Sequence, residues 1–245
     1  MSARATLATA ARVLTQLRHD RRTIAMILLV PSVLMALLKY IFDGQPATFD
    51  RIGGPLLGIF PFFIMFLITS ITMLRERTSG TLERLMTTPM GKLDLLLGYG
   101  IAFALLAGLQ ATVVSSVAFW LLDLEVAGEP GLVIGLAVSN AVLGMALGLF
   151  VSAFATTEFQ AVQFMPAIVA PQVLLCGLLV PRERMVDWLE TLSDFLPLTY
   201  AFDGLRAVTA DGASIGDVGT ELAVVAGSTL LALALGASTL RRRTA

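Results

Sequence analysis

The sequence predicts an all-α integral membrane protein with six transmembrane helices. Hydrophobic residues make up 56% of the 245-residue chain and charged residues only 14%, against about 25% charged in soluble domains. Several apolar runs reach the roughly 20 residues that a bilayer crossing requires. These runs lie at about 23–42, 52–74, 95–122, 131–154, 159–180 and 222–240. We therefore expect a single membrane domain over residues 1–245.

The segment before the first run has an amphipathic helical pattern. Leu7, Ala10, Leu14 and Leu17 recur at helical spacing among arginines, which predicts a helix over residues 3–20 lying in the membrane interface. A basic tail that only sets topology is the alternative. A cleaved signal peptide is disfavoured, because the apolar run that follows has no small-residue cleavage site.

The fourth run carries small residues at or near four-residue spacing, a pattern that lets two helices approach closely. They are Gly135, Ser139, Gly144, Gly148 and Ser152. We favour packing within one subunit over contact with a second copy. Prolines within or beside the runs predict kinks, because each removes a backbone donor. They are Pro31, Pro55, Pro61, Pro166 and Pro171.

The polar stretch between the fifth and sixth runs cannot cross the membrane, yet it contains an apolar helical pattern. Trp188, Leu192 and Phe195 have helical spacing, and Pro197 is expected to divide the stretch into two short helices. We predict an outer re-entrant segment over residues 181–205, whose non-helical backbone must be satisfied by protein or water. An ordinary surface loop is the alternative.

The positions of Lys and Arg set the predicted orientation, because short loops rich in these residues remain in the cytoplasm. With the N-terminus inside, twelve of the 17 fall on the cytoplasmic side and four outside, while Lys39 lies near the outer end of the first run. The twelve are Arg4, Arg12, Arg18, Arg21, Arg22, Arg75, Arg77, Arg84, Lys92, Arg241, Arg242 and Arg243, and the four are Arg51, Arg182, Arg184 and Arg206. We expect a multi-pass protein of the bacterial inner membrane with both termini in the cytoplasm.

Several classes of chemistry lack the residues that they need. No glycine-rich phosphate-binding loop is present in the sequence, so this chain is not expected to hydrolyse ATP. His19 is the only histidine and Cys176 the only cysteine, which leaves neither a metal ligand set nor a disulfide. No carboxylate lies in the middle of a run to serve a proton relay. We expect neither enzymatic activity nor a cofactor in this chain, and no nucleic-acid partner.

The link between the second and third runs is the most informative segment. Residues 76–85 read Glu-Arg-Thr-Ser-Gly-Thr-Leu-Glu-Arg-Leu, with Thr-Pro at 88–89. A second motif, Pro-Leu-Thr-Tyr-Ala at 197–201, is followed by Leu-Arg at 205–206. With six runs in this order, the sequence resembles the type 2 ABC exporter permeases, the class that includes the daunorubicin-resistance permeases. Cys-Gly at 176–177 departs from the Ser-Gly that this family commonly has there.

That resemblance implies a coupling helix over residues 76–89 that rests in a groove of a separate ABC ATPase subunit, which would bind the ATP and magnesium. The implied contact residues are Glu76, Gly80, Thr81, Glu83, Arg84 and Pro89. A second permease, either another copy of this chain or a paralogue, is also implied. Taken without the resemblance, the charges of the link could instead serve only to anchor it under the positive-inside rule.

The implied activity is efflux of an amphiphilic drug-like or lipid-like compound, as in antibiotic resistance. Phe63, Phe66, Phe164 and Met165 are candidates for a hydrophobic substrate path, because adaptable apolar side chains suit such cargo. Lipid-facing or core packing is the alternative for these four. A passive channel or a non-transporting membrane assembly subunit is the alternative function, whereas an intramembrane enzyme lacks clusters of reactive side chains.

Overall fold

The computed structural model of the chain describes residues 2–81 and 92–239. Within them, nine α-helices and one short 3-10 helix account for the regular structure, and no strand occurs. The helices are α1 (Ala3–His19), α2 (Arg21–Ile41), α3 (Pro46–Thr78), α4 (Lys92–Trp120), α5 (Pro130–Val151), α6 (Glu158–Leu175), α7 (Asp187–Ser193), α8 (Pro197–Asp211) and α9 (Gly219–Thr239). The 3-10 helix, Arg182–Arg184, precedes α7. The prediction of an all-α protein is confirmed.

Five helices of the described chain are long and apolar enough to cross a membrane: α2, α3, α4 from Asp94 onward, α5 and α9. They correspond to five of the six predicted spans. The sixth, α6, has 18 residues, and its glutamines Gln160, Gln163 and Gln172 lower its hydropathy. The count of six spans therefore stays a prediction, with α6 as the helix at issue.

Several predicted boundaries differ from the helices. α3 has 33 residues, so it extends beyond the predicted run 52–74 at both ends and includes residues 76–78, which we had assigned to the coupling helix. α6 ends at Leu175, because Gly177 adopts the left-handed conformation (φ +99°) that ends many helices. The helix is therefore shorter at its C-terminal end than the predicted run 159–180, whose limits in the membrane stay a prediction.

The closest helix contact lies between α3 and α5, which run parallel. A Cβ atom at Gly144 would lie 2.3 Å from the carbonyl oxygen of Phe62, and one at Gly148 would lie 2.4 Å from that of Phe66. Only glycine leaves room for this approach. The small residues of α5 therefore pack within the subunit at these two positions, as favoured from the sequence, whereas a Cβ at Gly135 would meet no atom within 4 Å.

The proline inside α2 is compensated by a side chain from α4. Pro31 has no N–H, so the carbonyl of Ile27 loses its helical hydrogen bond. Gln110, fully buried in α4, donates its Nε2 to that carbonyl at 2.9 Å. An unpaired carbonyl in the membrane would cost several kcal/mol, on the order of the values for apolar transfer. The Gln110 bond therefore joins α2 to α4.

The N-terminal helix α1 packs against α4 and buries Ala10 and Leu17 of the predicted apolar stripe. Thr9, Val13 and Leu17 are buried there, whereas Leu7 is 61% exposed. A Cβ at Gly98 would lie 2.5 Å from the Cβ of Thr9, so small residues on both helices allow close contact. The helix is confirmed, and its location in the membrane interface stays a prediction.

The end of the bundle opposite the link, called the loop end below, contains residues 43–45, 121–129 and 176–218. Its segment 181–205 contains the predicted helix break, because Pro197 begins α8. α8 extends six residues beyond the predicted end, to Asp211, and stops where Gly212 takes a left-handed φ of +69°. α8 packs against α3, where Leu205 meets Gly58 and Thr209 meets Gly54.

Arg182 connects the parts of this loop-end segment through hydrogen bonds. Its guanidinium donates to Asp194, to Ser193 Oγ at 2.9 Å and to Asp203 Oδ2 at 3.0 Å. Burial raises the pKa of Asp203 above its usual range, although Arg182 opposes that shift.

Trp188 and Phe195 remain exposed, the latter by 79%. The chain itself therefore leaves the apolar face of α7 uncovered, and its insertion into the membrane interface stays a prediction.

Replacing Gly144 with alanine should destabilise the bundle. The added Cβ overlaps the Phe62 backbone and would force α3 and α5 apart, at a cost of about 2 to 3 kcal/mol. For a chain of this size, the midpoint of thermal unfolding in detergent should fall by about 5 to 10 °C. Gly135→Ala is the matched control and should leave that midpoint unchanged or raise it. An equal midpoint for both variants would contradict the close α3–α5 contact.

Gln110→Leu should weaken the α2–α4 contact by about 1 to 2 kcal/mol, because the Ile27 carbonyl then has no donor. In a Pro31→Ala background, residue 31 regains its N–H and can satisfy that carbonyl. The same leucine substitution should therefore cost almost nothing there. A double-mutant cycle from thermal unfolding measures the coupling. Additive effects would show that Gln110 acts independently of the proline.

Candidate functional site at the link

The link leaves α3 through a left-handed glycine. α3 ends at Thr78, Ser79 follows as its C-cap, and Gly80 has φ +71°. The amide of Gly80 donates to the carbonyl of Arg77 at 3.4 Å. A Cβ at Gly80 would meet no atom within 4 Å, so the backbone angle rather than space requires glycine here. This turn ends α3 at the start of the link.

Three helices meet at a buried ion pair next to this turn. Glu76, in the last turn of α3, is only 5% exposed. Its Oε2 lies 3.5 Å from Nη2 of Arg12 on α1. The same Arg12 nitrogen donates to the hydroxyl of Tyr99 on α4, and the guanidinium carbon lies 5.6 Å from the centre of the Tyr99 ring. We call these three residues the α1–α3–α4 cluster.

A second contact joins α1 to the start of α4, just after the link. The backbone N–H of Ser2 donates to Oδ1 of Asp94 at 3.0 Å, and Asp94 is buried. α1 therefore contacts the helix that enters the link, through Glu76, and the helix that leaves it, through Asp94 and Tyr99. A displacement of the link at either end is resisted by the same N-terminal helix.

An exposed ion pair connects α3 to α6 at the same end of the bundle. Arg75 donates to both carboxylate oxygens of Glu158, at 2.7 and 2.9 Å. Asp20 caps α2, with its carboxylate accepting from the amide and hydroxyl of Thr23 at 3.1 and 2.6 Å. The hydroxyl bond is the main reason that the pKa of Asp20 lies below its usual value. These contacts fix the helix ends around the link.

A groove of about 180 Å³ opens between α1, α2 and the end of α3. Polar side chains dominate its wall. It is lined by Gln16, Leu17, Asp20, Thr23, Thr72, Arg75, Glu76, Ser79 and Thr81. Hydrogen-bond donors, acceptors and both signs of charge therefore converge beside the link, a composition suited to a polar protein contact and not to an apolar ligand.

The predicted contact residues occupy different environments. Gly80 and Thr81 lie at the start of the link and are partly accessible. Glu76 lies inside α3 and is directed at Arg12, so its carboxylate is occupied within the chain. Glu83, Arg84 and Pro89 lie outside the described residues. Direct contact of these positions with an ATPase stays a prediction. Through its ion pair with Arg12, Glu76 instead holds the end of α3 against α1.

Arg12 and Tyr99 were missed by the sequence analysis. Arg12 was read only as one of the charges that set topology, and Tyr99 only as part of an apolar run. A signal was nevertheless present, because a tyrosine hydroxyl near the end of a span needs a polar partner when it is buried. The sequence does not indicate which helix supplies that partner.

The four candidate path residues do not share one environment. Phe66 is fully buried where α3 meets α5. Phe63, Phe164 and Met165 are partly exposed on the surface of α3 and α6.

Within the described part of the chain, no group of three His, Cys, Asp or Glu residues could hold a metal ion.

The sequence of the chain matches a known family of membrane proteins. A family model described as "ABC-2 type transporter" matches residues 4–209. The chain belongs to the ABC-2 type transporter family. This match includes α1, the link, α6 and most of α8. The ABC-2 family and the membrane-spanning character expected from the resemblance are thereby confirmed.

Individual relatives include transporters from bacteria and a eukaryote. The chain is 28% identical over 148 residues to ABC transporter G family member 20 of Dictyostelium discoideum, covering 60% of this chain and 20% of that protein. It is 27% identical over 158 residues to the probable multidrug ABC transporter permease YbhR of Escherichia coli K12, covering 64% and 43%. It is 25% identical over 197 residues to the linearmycin resistance permease protein LnrN of Bacillus subtilis, covering 78% and 49%. Each match spans less than half of the relative's length.

In this ABC-2 chain, Glu76→Gln should lower stability more than the same substitution at Glu158. Loss of the Glu76 charge leaves Arg12 facing Tyr99 without a counter-charge. Arg12 is one-third exposed, so the cost should fall between the about 1 kcal/mol of surface pairs and the about 4 kcal/mol of buried ones. Glu158→Gln removes an exposed pair and should cost about 1 kcal/mol or less. Thermal unfolding in detergent compares the two. Equal costs would contradict a supporting role for the α1–α3–α4 cluster.

Proposed function

We propose that this chain is the membrane subunit of an exporter that is powered by a separate ABC ATPase subunit. The main support for this proposal is the structure of the helix ends on either side of the link. α3 ends just before a left-handed glycine, Gly80, and α1 contacts both the helix before the link and the helix after it. Membership of the ABC-2 family supports the same assignment.

In this mechanism, the ATPase moves the link and the α1–α3–α4 cluster transmits the motion. ATP binding changes the ATPase, and the ATPase then favours one of two arrangements of the membrane helices by differential contact with the link. Because Glu76 and Tyr99 share Arg12, α3 and α4 are expected to move as one body with α1. Residues 79–91 are the segment that meets the ATPase.

The proposed orientation places the link end in the cytoplasm of a bacterium and the loop end outside. It rests on the excess of Lys and Arg at the link end, twelve residues against four. Both termini then lie in the cytoplasm, where an ATPase has access to ATP and magnesium. In this arrangement α6 completes the sixth crossing.

Two permeases are proposed to pair across α6. Gln163, Pro166 and Pro171 are exposed on this helix. Each proline removes a donor and leaves a free carbonyl four residues earlier, at Val162 and at Ala167. Exposure of an amide side chain and two free carbonyls to lipid would cost several kcal/mol, on the order of 2 or more for each group. A second permease, or a water-filled path between two permeases, would satisfy these groups.

An amphiphilic drug-like or lipid-like compound is the proposed cargo. Support comes from the multidrug and linearmycin resistance permeases among the relatives. Phe63, on α3, and Phe164 and Met165, on α6, are partly exposed, and Gln163 lies next to the latter two in the chain. Apolar, adaptable side chains beside a few polar groups suit a cargo of mixed character.

Glu83→Lys tests the proposal, because a reversed charge at the link should disturb docking to the ATPase. The chain is co-expressed with stand-alone ABC ATPases of the same genome, and ATP hydrolysis and efflux of an amphiphilic dye are measured at equal protein level. We expect at least about a tenfold loss of efflux if the charge is paired and buried on docking. Glu125→Lys, at the loop end, is the control and should retain efflux.

Two outcomes would contradict the proposal. Efflux that persists without ATP, or without any ATPase partner, would indicate a passive channel. Normal ATP-dependent efflux in Glu83→Lys would mean that the link is only a topological anchor.

A further inference from the structure

A small cleft at the loop end of the bundle is lined by two arginines from different helices. Arg51 comes from the first turns of α3 and Arg206 from the middle of α8. The cleft has a volume of about 80 Å³. Its remaining wall is largely apolar and consists of Ile52, Gly177, Leu178, Leu179, Pro181 and Phe202. Positive charge is thus held next to an apolar surface.

Both arginines lack an ion-pair partner within residues 2–81 and 92–239. Two carboxylates close to them in the chain, Asp50 and Asp203, have other partners. Asp50 accepts a hydrogen bond from the amide of Glu125 at 3.1 Å, and Asp203 accepts from Arg182 at 3.0 Å. Arg206 feels the charge of Asp203 without pairing with it. Two guanidinium groups are therefore available to an external anion.

The cleft lies where the apolar part of the bundle ends. Arg51 directly precedes the predicted apolar run 52–74, and Leu179 and Val180 follow the end of α6 and are exposed. Within the described residues, the amides of Leu179 and Val180 donate to no backbone carbonyl. At a membrane boundary, such amides require a polar partner. Charge, free amides and exposed apolar side chains thus occur together.

We propose that Arg51 and Arg206 bind the phosphate group of an anionic phospholipid, with Leu179 and Val180 against the start of its acyl chains. Arginine recognises phosphate through two parallel N–H bonds. The cleft is far smaller than the roughly 300 to 1,000 Å³ of sites for drug-sized molecules, so it fits a headgroup and not the exported cargo. The proposal does not depend on the direction of transport.

The apolar wall distinguishes a lipid from other anions. A free phosphate ion would gain nothing from Leu178, Leu179 and Ile52. A carboxylate from a second copy of the chain would have to reach the membrane boundary, whereas a lipid phosphate is located there in every bilayer. Charge complementarity with an apolar extension therefore favours the phospholipid.

Binding can be measured on the full chain purified in detergent, by the rise in its unfolding temperature as dioctanoyl phosphatidylglycerol is added. Arg51→Gln and Arg206→Gln should each weaken the apparent affinity by about tenfold. Arg184→Gln removes a nearby exposed arginine that does not line the cleft, and it should change the affinity by less than about twofold. Arg51→Lys, which retains the charge without the fork, should fall between these values.

Comparison probes identify the source of the anion. Inorganic phosphate at equal ionic strength and dioctanoylglycerol, which lacks the phosphate, should both fail to stabilise the protein. Equal stabilisation by either compound would overturn the proposal, as would unchanged phosphatidylglycerol affinity in both glutamine variants. Each variant is first shown to unfold at the wild-type temperature without lipid. A glutamine variant that fails this control is replaced by the lysine variant at the same position, which should weaken the affinity by between about twofold and tenfold; an unchanged affinity in that variant would overturn the proposal.

Discussion

Gly144 and Gly148 bring α5 so close to α3 that their α-carbons face the carbonyl oxygens of Phe62 and Phe66. In lipid, helices gain little from the hydrophobic effect when they associate, because the acyl chains are as apolar as the side chains. Close packing has to supply the attraction. α3 also contacts α2, α4, α6 and α8, while α5 contacts α9. The remaining helices named here therefore pack around this one parallel pair.

The fold was largely predictable because the bilayer imposes a length and a composition on each span. The starts of α2, α5 and α9 lie within a few residues of the predicted runs. The ends of α3 and α6 were not predicted, because helices can continue into water or stop early for local reasons. In α6 the reason is Gly177, whose left-handed conformation cannot be distinguished by hydropathy from an ordinary glycine within a span.

The site was predicted less completely than the fold. The sequence motif identified the link, and the left-handed turn at Gly80 agrees with the conformational role of glycine. The burial of Glu76 was not foreseen, because its partners come from α1 and α4, distant in the chain. The close contact of α1 with α4, in which Gly98 accommodates Thr9, was not foreseen for the same reason. A hydropathy pattern describes one helix at a time, whereas these features depend on contacts between helices.

The bond between Gln110 and the Ile27 carbonyl has a consequence for biosynthesis. Translation proceeds from the N-terminus, so α2 is complete before residue 110 exists. Until α4 arrives, the carbonyl freed by Pro31 has no donor in the nascent chain. If α2 enters lipid alone, it carries the cost of that unpaired carbonyl, about 2 kcal/mol or more, and the arrival of α4 removes it. The bond thus favours association of these two helices during insertion, although α3 lies between them in the chain.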